Sequence, residues 1–275
     1  MKKPIAILAV FLLAITLAFT GCAKSGGTKK TSDGKTILKV AADPVPHAEL
    51  LNFVKPTLAK EGVDLQITVL DSDGDALANE QTADGEFDVN FFQHEPYLDS
   101  VKKEKGYDLV SAGKIHVEPI GFYSVKYKNK ADIPNNATVA IPNDATNEYR
   151  ALSILQANGF ITLKSDIKNY EATVADIAKY NKPIKIVEMD SALIIRDRDQ
   201  FDGYITNTNK ILDAGIDPNS VLFREGADSP YANILVVKSG RQNDPAVVKL
   251  RQALQTPEVK KFIEDKYKGA VIPAF

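Results

Sequence analysis

Apolar residues follow different rules in successive parts of this chain. Ile5 to Phe19 is an almost unbroken apolar run behind Lys2 and Lys3. Ala23 to Thr36 (AKSGGTKKTSDGKT) holds almost nothing apolar. From Thr36 on, short apolar runs alternate with stretches in which apolar residues recur every three or four positions. The first recurrence is that of a strand and the second that of a helix face.

The pattern predicts strands at Ile37 to Ala42, Asp64 to Leu70 and Phe87 to Phe92. Between them it predicts a helix from His47 to Lys60, kinked at Pro56 and closed by Gly62, and a short helix within the polar segment Ser72 to Asp84. Pro96 to Lys105 reads as a helix ending at Gly106, and Asp108 to Ala112 and Ile115 to Tyr127 read as extended chain. Further on, strands are predicted at Thr138 to Pro142, Ile184 to Met189, Asp202 to Thr206 and Ala232 to Lys238. One helix carries Ala151, Leu152, Ile154 and Leu155 up to Asn158-Gly159, and a short one is capped by Ser191. Two closing helices, Asp244 to Gln255 and Thr256 to Tyr267, begin with Asp-Pro and Thr-Pro-Glu. Alternation over the whole length predicts an α/β protein with mostly parallel sheet.

The single cysteine, Cys22, stands at the seam between the apolar run and the polar segment. A charged start, an apolar core and Thr20-Gly21 before the cysteine form a secretory signal peptide ending at a lipidation site. The expected layout is a signal peptide over 1–21 and a flexible, lipid-anchored tether over 22–36. The product would be held at the cell membrane and face away from the cytoplasm. About 250 residues follow, enough for one large domain or two ordinary ones. A net charge of -2 with no basic stripe argues against nucleic acid as a partner.

The chemistry-bearing residues suit binding better than catalysis. No Gly-x-Ser-x-Gly elbow, glycine-rich phosphate loop or paired-cysteine site occurs, so the chain is not expected to be an enzyme or to need a cofactor. Each histidine has a nearby glutamate: His47 with Glu49, His94 with Glu95, His116 with Glu118. A zinc-uptake receptor would use such residues, but their spacing fits no metal motif. The run NFFQHEPY (Asn90 to Tyr97) ends a strand, and the carboxyl ends of strands are where ligands sit in open α/β sheets. One of Phe91 and Phe92 should face the core and the other the cleft. Asn143, Asp144, Thr146 and Asn147 open a helix with Arg150 in its first turns, a setting suited to a carboxylate. Asn207, Asn209 and Asn233 flank strands and offer amides to a zwitterion.

These segments together resemble the NlpA-type methionine-binding lipoproteins, the solute receptors of methionine ABC importers. The matching stretches are PVPHAELL, ADGEFDVNFFQHEPYL, IHVEPIGFYS, VAIPNDATNEYRALSILQ, the Asn-x-Asn at Asn207 and Asn209, and DSPYANILVV. The resemblance implies a two-lobed periplasmic-binding-protein-like fold with two crossover strands. One lobe would comprise 37–123 plus 230–275 and the other 124–229. It implies an amino-acid ligand, L-methionine first, and an ABC permease as partner. Arg150 would pair with the ligand carboxylate, Asn147, Asn207 and Asn233 would hold its polar end, and Phe92, His94 and Tyr97 would line the side-chain pocket. The chain departs from the family pattern at Asp75 and Lys210, where tyrosine is usual, at Ala78 in place of proline, and at Tyr149 in place of glycine. Asp75 adds charge and removes an apolar wall, which makes a more polar amino acid or a short peptide the alternative ligand.

Overall fold

The computed structural model describes residues 29–71, 75–167, 170–226 and 229–275, the side chains of Asp75 and Ala76 excepted. The expected signal peptide, Cys22 and the first part of the tether lie outside the described residues.

The chain opens with β1 (Thr36–Ala42), α1 (Glu49–Lys60), β2 (Val63–Val69), α2 (Asp75–Asp84), β3 (Val89–Phe91), α3 (Glu95–Lys105) and β4 (Leu109–Val117). There follow β5 (Gly121–Tyr123), β6 (Ala137–Pro142), α4 (Ala145–Ala157), β7 (Ile161–Leu163), β8 (Ile177–Tyr180), β9 (Ile184–Met189), α5 (Ser191–Asp197), β10 (Gly203–Thr206), α6 (Thr208–Asp213) and β11 (Phe223–Arg224). It closes with β12 (Ala232–Lys238), α7 (Pro245–Leu254), α8 (Pro257–Tyr267) and β13 (Ile272–Pro273). One sheet has the order β13-β4-β12-β3-β1-β2 and a second the order β11-β5-β10-β6-β9, with β7 and β8 forming a separate hairpin pair. The chain passes from the first sheet to the second between β4 and β5, and returns between β11 and β12. Each sheet and its helices make one lobe, and the two passages form the hinge between them. β5, which the boundary implied by the resemblance leaves in the first lobe, pairs with β10 in the second.

Both sheets are mixed, where mostly parallel pairing was expected. β1 runs parallel to β2 and β3, but β12 is antiparallel to both β3 and β4. In the second sheet β6 is parallel to β9 and β10, while β5 is antiparallel to β10 and β11. The reason is connectivity. Helices carry the βα units back for parallel pairing, whereas the strands that enter a lobe from the other one, β5 and β12, run the other way. The hairpin β7–β8 and the two-residue strands β11 and β13 are too short to show a period in the sequence.

Amphipathic spacing sets the core. α1 buries Leu50, Leu51, Val54 and Leu58 on one face and runs through Pro56. They pack with Leu38, Val40, Leu65, Phe91, Val247, Leu250 and Ile263 beneath the first sheet. Each fully buried aliphatic contributes about 1.5–3 kcal/mol before the entropy of ordering is set against it. In the second lobe Val139, Ile141, Leu152, Leu155, Phe122 and Phe160 form the corresponding core. Behind the cleft, a buried amide network joins α2 to β3: Gln93 donates to Asn79 at 2.6 Å and to Asn90 at 2.8 Å, and Asn90 donates to Thr82 at 2.9 Å. Satisfied buried polar groups of this kind hold a helix to a strand in one register.

The last residues of the expected tether are fastened to the first lobe. Lys30 forms an antiparallel bridge with Thr36, Ile37 N donates to Lys29 O at 2.8 Å, and Gly34 N donates to Thr31 O at 3.0 Å.

Candidate functional site

A cavity of about 310 Å³ lies between the lobes. From the first lobe it is lined by Phe92, Gln93, His94 and Tyr97, which follow β3 and open α3. Glu118 and Asn233 reach it from the two passages' strand ends. The second lobe contributes Asn143, Asp144 and Asn147 at the start of α4, Asp190 to Ala192 at the start of α5, and Asn207, Asn209 and Lys210 around α6. Most of these wall positions follow the carboxyl ends of strands or open the helices after them, and Asn233 stands at the amino end of β12.

Local structure fixes the key groups. Phe91 points into the core and Phe92 into the cavity, as alternation requires. Asp144 caps α4: its carboxylate accepts from Asn147 N at 3.0 Å and from Asn147 Nδ2 at 2.9 Å. That second bond orients the Asn147 amide, leaving Oδ1 to face the cleft. His94 caps α3 by accepting from Tyr97 N at its Nδ1, at 3.1 Å. Since Nδ1 accepts, the neutral ring carries its proton on Nε2. Burial, followed by the charge of Arg150, holds the His94 pKa down to about 3, so the ring is neutral at physiological pH. The cap of α5 is Asp190, whose carboxylate accepts from Ala192 N at 2.8 Å, and not Ser191, which is the first helical residue.

Three donors meet at Asn147 Oδ1. Arg150 Nη1, Asn207 Nδ2 and His94 Nε2 each lie 3.1 Å from it. They come from α4, the cap of α6 and the cap of α3, and so span both lobes. An amide oxygen has two lone pairs. Three donors on one neutral oxygen are more than it satisfies well.

Arg150 is not among the residues lining the cavity, although the sequence resemblance puts it there. Its guanidinium is buried beneath α4 and engaged on its other edge by Glu225, with Nε to Oε1 at 2.9 Å and Nη2 to Oε2 at 2.7 Å. Nη2 also donates to Glu118 O at 3.0 Å, and the Tyr231 ring lies 4.2 Å from the guanidinium carbon. The bidentate carboxylate expected from a ligand is thus supplied by the protein, and only Nη1 is directed toward the cleft. Phe92, His94, Tyr97, Asn147, Asn207 and Asn233 do come together around the cavity.

Glu118 is the residue that sequence reasoning undervalued, noting it only as a neighbour of His116. Its carboxylate accepts from His116 Nε2 at 2.7 Å and from Asn209 N at 2.9 Å, and it lies 3.4 Å from His47 Nε2. Burial raises its pKa, against the lowering effect of His47 and Asn209. His116 is pushed down to about 3 by burial alone. His47, His116 and Glu118 bring their donor atoms within 4.8 Å of one another, a grouping that could take a metal ion. The pairing differs from that read along the chain: two histidines share one glutamate, and His94 is turned to Asn147. The Glu118 oxygens already receive donors from these partners, so the cluster is held together by hydrogen bonds. Asn209 bridges the lobes further, its Nδ2 donating to Asp43 at 2.6 Å while its buried Oδ1 has no hydrogen-bond partner among the described residues. Lys210 Nζ stands 3.5 Å from the same Asp43 oxygen. The side chain of Asp75 lies outside the described residues. Tyr149 is half-buried against the Tyr170 ring, 5.7 Å between centroids.

Two α/β lobes, two hinge passages and a polar cleft with one aromatic wall define a solute-binding protein of the two-lobed kind. Comparison with known proteins narrows this. The family model described as NlpA lipoprotein matches residues 38–275, and the chain belongs to that family. The methionine-binding lipoprotein MetQ of Bacillus subtilis is 36% identical over 270 residues, covering 96% of this chain and 98% of that one. The structure of a nutrient-binding protein from Burkholderia cenocepacia bound to methionine superposes with a TM-score of 0.82 at 39% identity, over 86% of this chain and 100% of that one. The lipoprotein Tp32 of Treponema pallidum gives a TM-score of 0.81 at 37% identity, over 86% and 99%.

Proposed function

We propose that this chain is the solute receptor of an ABC importer, held at the membrane by lipid on Cys22, and that it captures L-methionine and hands it to a permease. It performs no chemistry on its ligand. The observation that carries the reading is the convergence of three donors on Asn147 Oδ1. A carboxylate brings two oxygens and a full negative charge, and charge-assisted hydrogen bonds are roughly twice as strong as neutral ones. Placed beside Asn147, it would take over donors that the amide oxygen shares poorly. The ammonium finds acceptors nearby in Glu118 and in the unsatisfied Oδ1 of Asn209. Phe92 and Tyr97 offer ring faces and edges to a thioether, a contact worth about 0.3–1.5 kcal/mol. The cavity volume, about 310 Å³, is at the small end of the ~300–1,000 Å³ usual for ligand sites. That suits a single amino acid better than a peptide.

A second reading, a more polar amino acid, is favoured by the wall opposite the aromatics, where Asp190, Ser191 and Lys210 line the cavity. One experiment separates the two. Protein purified without added ligand is denatured and the released small molecule identified by mass spectrometry, and a thermal-shift screen of the amino acids follows. Methionine should be released and should give the largest shift, since a ligand stabilises by RT ln(1 + [L]/Kd). A large shift with a polar amino acid and none with methionine would leave the receptor role standing and overturn the methionine assignment.

A further inference from the structure

We infer that Glu225 is the residue that aims Arg150 at the ligand: a positioning residue for carboxylate recognition that acts through the guanidinium and does not itself touch the ligand. The inference rests on the reading that the carboxylate binds where Arg150 Nη1, Asn207 Nδ2 and His94 Nε2 converge.

The argument is one of donors and geometry. Among the described residues, the Glu225 carboxylate accepts three hydrogen bonds. Oε1 accepts from Arg150 Nε at 2.9 Å, and Oε2 accepts from Arg150 Nη2 at 2.7 Å and from Ile120 N at 3.1 Å. The guanidinium is therefore gripped by its Nε–Nη2 edge in the fork geometry that fixes a plane as well as a distance. With that edge held and the Tyr231 ring 4.2 Å from its carbon, Nη1 is left facing Asn147 Oδ1. Glu225 is itself anchored, because its backbone N donates to Ile120 O at 3.0 Å. Ile120 lies on one hinge passage and Glu225 on the other, so the direction of Nη1 is set by the hinge and not by α4 alone. The grip has a second effect. The charge of Arg150 is balanced inside the protein, so selection for a carboxylate depends on directed N–H groups more than on a free positive charge.

The test uses Glu225→Gln, which keeps the shape and removes acceptor capacity. An amide NH₂ must then face one of three donors, so the fork cannot form. Calorimetry measures binding of L-methionine and of L-methioninamide, which lacks the carboxylate, to wild type, Glu225→Gln, Glu225→Asp, Arg150→Met and the Arg150→Met/Glu225→Gln double variant. Circular dichroism confirms that each is folded. Glu225→Gln should weaken L-methionine at least tenfold and methioninamide less than threefold, Glu225→Asp should recover part of the loss, and the double variant should bind no worse than Arg150→Met. Equal losses for both ligands would mean a merely structural role and overturn the inference. So would losses that add in the double variant, or Glu225→Gln binding L-methionine like wild type. If Arg150→Met itself leaves L-methionine binding unchanged, the carboxylate site is wrong and the role of Glu225 falls with it. If Arg150→Met loses affinity and Glu225→Gln does not, only the role of Glu225 falls. Should Glu225→Gln not fold, the Glu225→Asp variant carries the same ligand comparison.

Discussion

At the scale of single residues, Arg150 and His94 do different work at one point. Arg150 is buried with a carboxylate partner that is itself nearly buried, Glu225 being 13% exposed. Removing one member of such a pair typically costs 3–5 kcal/mol, because the other charge is left without compensation. Arg150→Ala should therefore lower the melting temperature as well as weaken ligand binding at least tenfold. Adding Glu225→Leu should restore much of the stability and none of the affinity; recovery of affinity would remove Arg150 from recognition. For His94 the expectation concerns pH. Its ordinary pKa is 6.5 and burial brings it to about 3 in the folded protein. The unfolded chain thus takes up a proton first as pH falls. The contribution of His94 to stability is complete above pH 6.5 and is lost progressively toward pH 3. Melting temperatures taken from pH 7 to pH 4 should fall, and His94→Gln should make that fall shallower. An unchanged slope in the variant would show that His94 titrates normally in the folded state.

At the scale of elements, the starts of α4, α5 and α6 carry the second lobe's share of the site, and β10 leads into α6. The Asp144 cap both starts α4 and orients the Asn147 amide. Asp144→Ala should cost about 0.5–2 kcal/mol of stability, the usual range for a lost cap. It should also weaken ligand binding more than Asp217→Ala, a cap on a turn far from the cleft. Equal effects on affinity would separate the cap from the site. In β10, a Cβ at Gly203 would lie 2.1 Å from Cζ of Phe122 on the neighbouring strand. Gly203→Ala should destabilise by about 1–3 kcal/mol through overpacking, and Phe122→Leu should relieve part of that, as denaturant titration would reveal. The elements that the sequence displayed well were those with a long period: α1, α7 and α8 with buried positions three and four apart, and strands such as β1 and β12. Strand ends and helix starts offered Phe92, His94, Tyr97, Asn147, Asn207 and Asn233 only one by one, and it was the resemblance to the NlpA-type lipoproteins that implied they share a site. What the sequence did not display were relations across distance. Glu225 lies 75 residues from Arg150, and Asp43 lies 166 from Asn209. No local pattern records such pairs, and a glutamate just after a two-residue strand looks like any solvated carboxylate. The direction of strand pairing was hidden for the same reason, since a short strand reads alike whether its neighbour runs with it or against it.

At the scale of the whole molecule, capture and delivery are separable. The lobes are joined at the cleft by His94 with Asn147, by Asp43 with Asn209, and by Glu118 with the backbone of Asn209. None of these involves the amino-terminal segment, so ligand affinity should not depend on the anchor. Delivery should depend on it closely. The segment from Lys29 to Thr36 is fastened to β1 by the Lys30–Thr36 bridge and the Ile37 N to Lys29 O bond. Under the proposed anchoring, the seven residue steps from Cys22 to Lys29 set the greatest distance between lipid and domain, roughly 25 Å at ~3.5 Å per residue. A receptor so anchored would stay within about its own diameter of the bilayer, a condition that would keep its concentration high at a membrane-bound partner. No helix among the described residues is long and apolar enough to cross a membrane. Cys22→Ala should accordingly bind L-methionine within twofold of wild type while losing its membrane association and its support of methionine uptake by cells. Fractionation, calorimetry and uptake are read on the same variant. Retention of Cys22→Ala in the membrane fraction at the wild-type level would end the lipid-anchor proposal, whereas loss of affinity in the soluble variant would show that the amino-terminal segment reaches the cleft.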